Sequence, residues 1–237
     1  MPPCLARDRP RPPVRPERRK YLRAGAAAAL ALQFAWLRGL LAAGSVEKGI
    51  HRLRGDVRVN GVPANEGMDV KAGDVVTTGA GSEVVFVTGK DAFLIRANSR
   101  VEAQGVVGAL VLSGLRLVTG AVLSVFSPGE RKSLQTATAT IGIRGTAVYL
   151  EAEETRTYVC TCYGEAEIAS TADPSARETV STTHHEQPRY VMGSGAPQML
   201  MGAPVLNHTD AELTMLESLA GRKPPFLDMP GYRPGRY

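Results

Sequence analysis

The chain of 237 residues is short of aromatic side chains, at 5%, and its single tryptophan, Trp36, stands in an apolar run near the N-terminus. The body beyond that run has no tryptophan, which argues against an aromatic-lined pocket for a small organic ligand. Histidine is scarce too, at positions 51, 184, 185 and 208, and no HExxH string, nucleophile motif or Gly-Lys-Thr phosphate loop accompanies it. The acidic pairs Glu153-Glu154 and Glu165/Glu167 fall in or beside strand-like runs, and the second pair shares a face, which reads as a solvated face and not as an acid/base site. The chain therefore reads as non-enzymatic, with no cofactor expected from its motifs. A continuous basic surface is missing as well. The formal charge of +5 is local, because seven arginines and Lys20 crowd the first 23 residues against only Asp8 and Glu17, and everything past residue 44 is mildly acidic. Such a body gains little of the counterion-release energy that drives nucleic-acid binding, so no nucleic-acid partner is expected.

What the N-terminus does have is the layout of an export signal. A Pro- and Arg-rich opening, unable to bury a core, leads to Arg18-Arg19-Lys20-Tyr21-Leu22-Arg23, then to an uncharged apolar run from Ala24 to Leu37 and small residues at Ala42, Ala43 and Gly44. The RRKYLR string resembles the twin-arginine signature, with Arg18, Arg19, Tyr21 and Leu22 as the residues a receptor reads. Cleavage after export predicts a periplasmic protein. If Arg38 snorkels, the stretch from Ala24 to Gly44 is instead long enough to stay as an inner-membrane anchor across a hydrocarbon core of ~30 Å, and this run is the chain's one expected contact with a membrane.

From Ile50 to Ser170 short β-branched runs alternate with glycine, among them DVRVNG, DVVTTG, EVVFVTG, FLIRANS, LRLVTG, AVLSVF, TAVYLEAE and TYVCTCYG. Val84, Phe86 and Thr88 alternate with Val85, Val87 and Gly89, which predicts one buried and one wetter face. Turn chemistry separates the runs at Asn60-Gly61, Gly79-Ala80-Gly81, Gly89-Lys90-Asp91 and Pro128-Gly129. The expectation is an all-β fold, a short-stranded solenoid-like roll or a sandwich, the shortness and regular punctuation of the strands favouring the roll. The chain divides into a signal segment (1–44) whose apolar run would be a helix, a β domain (45–170) and a C-terminal appendage (171–237).

Several segments of the β domain resemble the FecR domain family. They are Gly55-Asp56-Val57-Arg58-Val59, the Gly73-Asp74 to Thr78-Gly79 stretch, the SEVVFVTGKDAFLIRANSRVE segment, and Thr136 to Thr146, which ends in Arg144-Gly145-Thr146. Tyr163-Gly164-Glu165-Ala166-Glu167-Ile168 is similar to the family's terminal strand. The resemblance implies an extracytoplasmic module that binds a protein or ligand or serves as a sensor, with an envelope or outer-membrane protein as partner. Regulatory members of the family also carry a cytoplasmic helical anti-sigma domain. The 23 residues ahead of the apolar run are too few and too proline-rich for one, so that role does not carry over. In and just before the Arg-Gly-Thr triplet, Gly145 and Gly142 read as backbone devices, and Arg144 as a partner for a carboxylate or, on the functional reading, for a ligand anion.

Past Ser170 the strand signal weakens, and Thr209-Asp210-Ala211-Glu212 forms a capping box for a helix near 210–220 with Leu213, Leu216, Leu219 and Ala220 as its apolar stripe. The strand period places Cys160 and Cys162 on one face, ~6.5 to 7 Å apart, at or beyond the usual span of a disulfide. Cys4 leaves with the signal. Together with His184, His185 and His208 the two thiols could supply a Cys2His2 site for zinc or another transition metal. The plainer reading makes them small buried hydrophobes, since no CxxC spacing is present. Two functions follow: a non-catalytic binding or sensory module of the envelope, or a metal-binding or thiol-bearing protein that uses the β domain as its frame.

Overall fold

The computed structural model describes residues 48–233, so Arg18, Arg19, Tyr21, Leu22 and the apolar run behind them lie outside the described residues. Among the described residues no helix is long and apolar enough to cross a membrane. The structure is all-β, with strands β1 (Gly49–Arg54), β2 (Val57–Val59), β3 (Val62–Pro63), β4 (Val75–Thr78), β5 (Glu83–Thr88), β6 (Asp91–Ile95), β7 (Arg100–Gln104) and β8 (Gly114–Val125) in its first half. The second half adds β9 (Arg131–Gln135), β10 (Ala139–Arg144), β11 (Ala147–Ala152), β12 (Arg156–Ser170), β13 (Arg177–Thr182), β14 (Arg189–Met192) and β15 (Leu200–Gly202). Helix α1 (Asp210–Leu219) and a 3-10 turn (Pro225–Asp228) follow.

The strands form two layers that share two members. One layer runs β1-β5-β6-β8-β11-β12-β14-β15, all antiparallel. The other runs β3-β2-β4-β7-β8-β9-β10-β12-β13, with β8 and β9 its parallel pair. The long strands β8 and β12 each begin in one layer and end in the other. They bend at Gly120 (φ +82°) and Gly164 (φ +92°), the left-handed region that a side chain rarely adopts. A Cβ at Gly120 would also stand 2.6 Å from the Cα of Ser99. The result is a sandwich rolled at two corners, with antiparallel pairing where a solenoid would stack parallel rungs. Strands β13, β14 and β15, beyond residue 170, extend both layers.

Alternation along each strand sends one set of side chains between the layers. Val84, Phe86, Phe93, Ile95, Val122, Val148, Leu150 and Val159 from the first layer meet Val76, Val101, Leu115, Leu117, Leu134, Ile141 and Ile168 from the second in one core. The predicted wetter face of β5 is buried as well, since Val85 and Val87 are 5% and 0% exposed. The same is true across the first layer, where Leu94, Leu123, Tyr149 and Cys160 stand opposite one another in register and are all buried. Helix α1 lies across β6 and β8 on that face. The capping box forms as the sequence predicts, with the Thr209 hydroxyl accepting from the Glu212 N–H and the Glu212 carboxylate from the Thr209 N–H. Leu213, Leu216, Leu219 and Ala220 are buried.

Candidate metal centre

The first half of β12 is buried on both faces, so Cys160 and Cys162, which share a face, point away from the inter-layer core and under the C-terminal segment. Both are free thiols. The turn after β13 delivers His185, whose left-handed backbone (φ +61°) and N–H bond to the Cys162 carbonyl at 2.9 Å swing the ring inward. Glu186 closes that turn by accepting from the N–H groups of Thr183 and His184 at 2.8 and 2.9 Å. Burial opposes its ionisation, but these bonds and that of the Thr183 hydroxyl outweigh it and hold the carboxyl down at about 2. His208 arrives from the loop ahead of α1 and stacks on Tyr149 at a centroid distance of 4.6 Å.

The ligand atoms of Cys160, Cys162, His185 and His208 all lie within 4.8 Å of one another. Nδ1 of His185 is 3.4 Å from Sγ of Cys160 and 3.0 Å from Nε2 of His208. The outer nitrogens decide the tautomers. Nδ1 of His208 faces the Leu206 carbonyl at 2.5 Å, and a carbonyl only accepts, so the proton is on Nδ1. Nε2 of His185 faces the Asp210 carboxylate at 3.3 Å and carries its proton on the same reasoning. In the neutral rings two nitrogen lone pairs then converge with two sulfurs, a donor set that can hold a transition-metal cation. Tetrahedral coordination with metal–sulfur bonds of about 2.3 Å and metal–nitrogen bonds of about 2.0 to 2.1 Å has edges of about 3.3 to 3.8 Å; the nitrogen–sulfur separation of 3.4 Å falls in that range, the nitrogen–nitrogen separation of 3.0 Å is shorter, and the whole set spans no more than 4.8 Å.

Charge is arranged accordingly. Burial works against a thiolate at Cys160, yet the hydrogen bond from Cys162 and, when the rings carry a second proton, those from His185 and His208 outweigh it and take its pKa well below that of an ordinary thiol. Burial and the neighbouring Cys160 push Cys162 well above it. The four residues are 0%, 0%, 2% and 5% exposed, so the cluster has no position open to solvent or substrate.

His184 does not join the four. Its Nε2 lies 3.0 and 3.1 Å from the two oxygens of Asp210, which also accepts from the Tyr232 hydroxyl at 2.8 Å. Asp210 is therefore the outer partner that fixes the ring of one inner histidine, a role carboxylates commonly play behind ligating imidazoles. Asp210 is also the acidic residue in the first turn of a capped helix, and nothing in its spacing separates the two roles. Tyr149 and Leu206 were equally silent. In the Arg-Gly-Thr triplet, Arg144 is exposed, Gly145 (φ +64°) leaves room for Pro128, and buried Thr146 donates to the Glu165 carbonyl at 2.8 Å. Gly145 and Thr146 thus knit the corner between β10 and β11 to the bend of β12.

Fold and cluster define an all-β module with a closed set of four soft and borderline ligands. No protein-family model matches the chain, and no curated protein does. Two crystal structures of a "putative anti-sigma factor" from Parabacteroides distasonis ATCC 8503, at 1.65 and 2.50 Å, are similar to it, each with a TM-score of 0.44 and 10% identity over 54% of this chain. The chain spans 58% of the length of that protein.

Proposed function

We propose that this chain is a non-catalytic, exported β module whose fold is completed by one transition-metal ion of the zinc class, held by Cys160, Cys162, His185 and His208. The observation that carries the reading is the convergence of two imidazole lone pairs and two thiols in a buried cluster, with the outer nitrogen of each ring already committed to an acceptor. Closure makes the ion structural: with four protein ligands and no open position, it has no place for a substrate or an activated water. Its chemistry is to replace the thiol proton and bind strands to the C-terminal segment. The resemblance to FecR domains supports placing the module outside the cytoplasm, with an envelope or outer-membrane protein as its partner. The RRKYLR segment supports the same placement.

Full-length protein purified under reducing conditions without chelator should contain close to one equivalent of metal by elemental analysis. Cys160→Ser and Cys162→Ser should each remove it. Metal-free protein whose two buried thiols titrate freely in the native state would overturn the proposal.

A further inference from the structure

We infer that the segment from Ala203 to Arg233 is the gate of this centre, so that an ion enters and leaves only when the segment lifts as a unit. The inference rests on the metal reading above and adds its control. The segment supplies His208 directly and holds His185 through Asp210, so two of the four ligands depend on its docking. With the four residues no more than 5% exposed, a chelator has no route to a docked centre.

The segment is held to the sheet by the buried stripe of α1 and by Phe226, and by discrete bonds, among them those of the Tyr163 hydroxyl to Glu217 and of Arg222 to the Lys90 carbonyl. The Arg96 guanidinium donates to the Glu212 carboxylate at 2.7 Å and to the Asn207 carbonyl at 3.1 Å. The Asn207 amide donates to Glu151 at 2.7 Å, and the Tyr158 hydroxyl donates to the Pro204 carbonyl at 2.9 Å. A helix of 10 residues does not persist alone in water, so α1 and the loop ahead of it undock and lose structure together. Opening exposes the row of Leu94, Leu123 and Tyr149 along with the thiols, which makes the open state rare and short-lived. Metal exchange then inherits the rate of opening.

The test uses metal-loaded full-length protein mixed with a large excess of a chromophoric chelator, 4-(2-pyridylazo)resorcinol, the metal content having been measured beforehand. The expected result is a release rate that reaches a plateau as chelator concentration rises. Arg96→Ala, which touches the segment but none of the four ligands, should raise that plateau about tenfold while leaving the stoichiometry unchanged, the effect of removing its partly exposed charge-assisted bonds to Glu212 and Asn207 from the closed state. Leu216→Ala, which loosens the helix from within, should raise it as well. A rate proportional to chelator concentration throughout, or a plateau unchanged in both variants, would overturn the gate while leaving the metal site standing. Protein with no metal at the outset overturns both.

Discussion

The two halves of β12 share one backbone and have opposite surroundings. From Thr157 to Tyr163 every residue is buried, while from Gly164 onward Ala166, Ile168 and Ser170 are buried and Glu165 and Glu167 are exposed. The first half lies in a layer whose outer face is covered by α1 and its flanking loops, the second in a layer whose outer face meets water. Covering a face changes what a strand can carry. Under cover, two thiols and two imidazoles can be held dry and aimed at one point; in the open half the same alternation produces an ordinary amphipathic strand.

The sharpest way to break the contrast is to hollow out the covered face. Tyr149→Ala removes a fully buried ring that stacks on His208 and hydrogen-bonds Glu151, and it should cost about 3 to 5 kcal/mol in urea unfolding, the range for large buried aromatics. A loss under ~1 kcal/mol would mean that the cover contributes little.

Loosening the cover from its edge is milder. Thr209→Ala removes the helix cap and should cost about 1 kcal/mol, read from the midpoint of the same transition. Because α1 holds the gate, this variant should also release metal faster than the parent.

Smaller again is the ion pair that joins the strands flanking the two halves, Glu178 on β13 and Arg189 on β14, at 2.5 Å. The Arg189 hydrogen bonds hold the Glu178 carboxyl below its usual range. A lowered folded-state pKa stabilises above the unfolded value of about 4.3, and this stabilisation is lost as pH falls through the folded value. The pair is partly exposed, so the contribution should be under about 1 kcal/mol. Arg189→Ala should therefore reduce stability at neutral pH and make the acid limb below about pH 4.3 shallower. Identical acid limbs in the two proteins would exclude the pair.

At the bottom of the scale stands Glu167→Ala on the open half, expected within about 0.5 kcal/mol of the parent by thermal unfolding. A large loss there would show that the second layer is covered too.

Much of the contrast was legible in the chain. Glu165 and Glu167 at alternate positions marked the open half. The strand period alone put the two cysteines on one face, and the capping box placed the start of α1. Other features depend on distance in space. Which of His184 and His185 turns inward is decided by a left-handed residue in an irregular turn, where no period applies. That a single strand serves two layers follows from where Gly120 and Gly164 fall against their neighbours, and glycine in a strand signals several things other than a bend. The alternation around Val85 and Val87 predicted a wetter face because nothing in β5 announces that the layer it belongs to is covered, at its neighbour β6, by a helix more than a hundred residues away.

The sharing of β8 and β12 bears on how the molecule comes apart. Each layer borrows half of two strands from the other, so neither can be completed or dismantled by itself. The pairings at the corners are non-local, as in Gly120 with Ala152 and Gly164 with Thr182, so the loops between them must close before either layer is complete. Heat or denaturant should accordingly remove both layers in one cooperative event, with no half-folded sheet surviving as a stable intermediate.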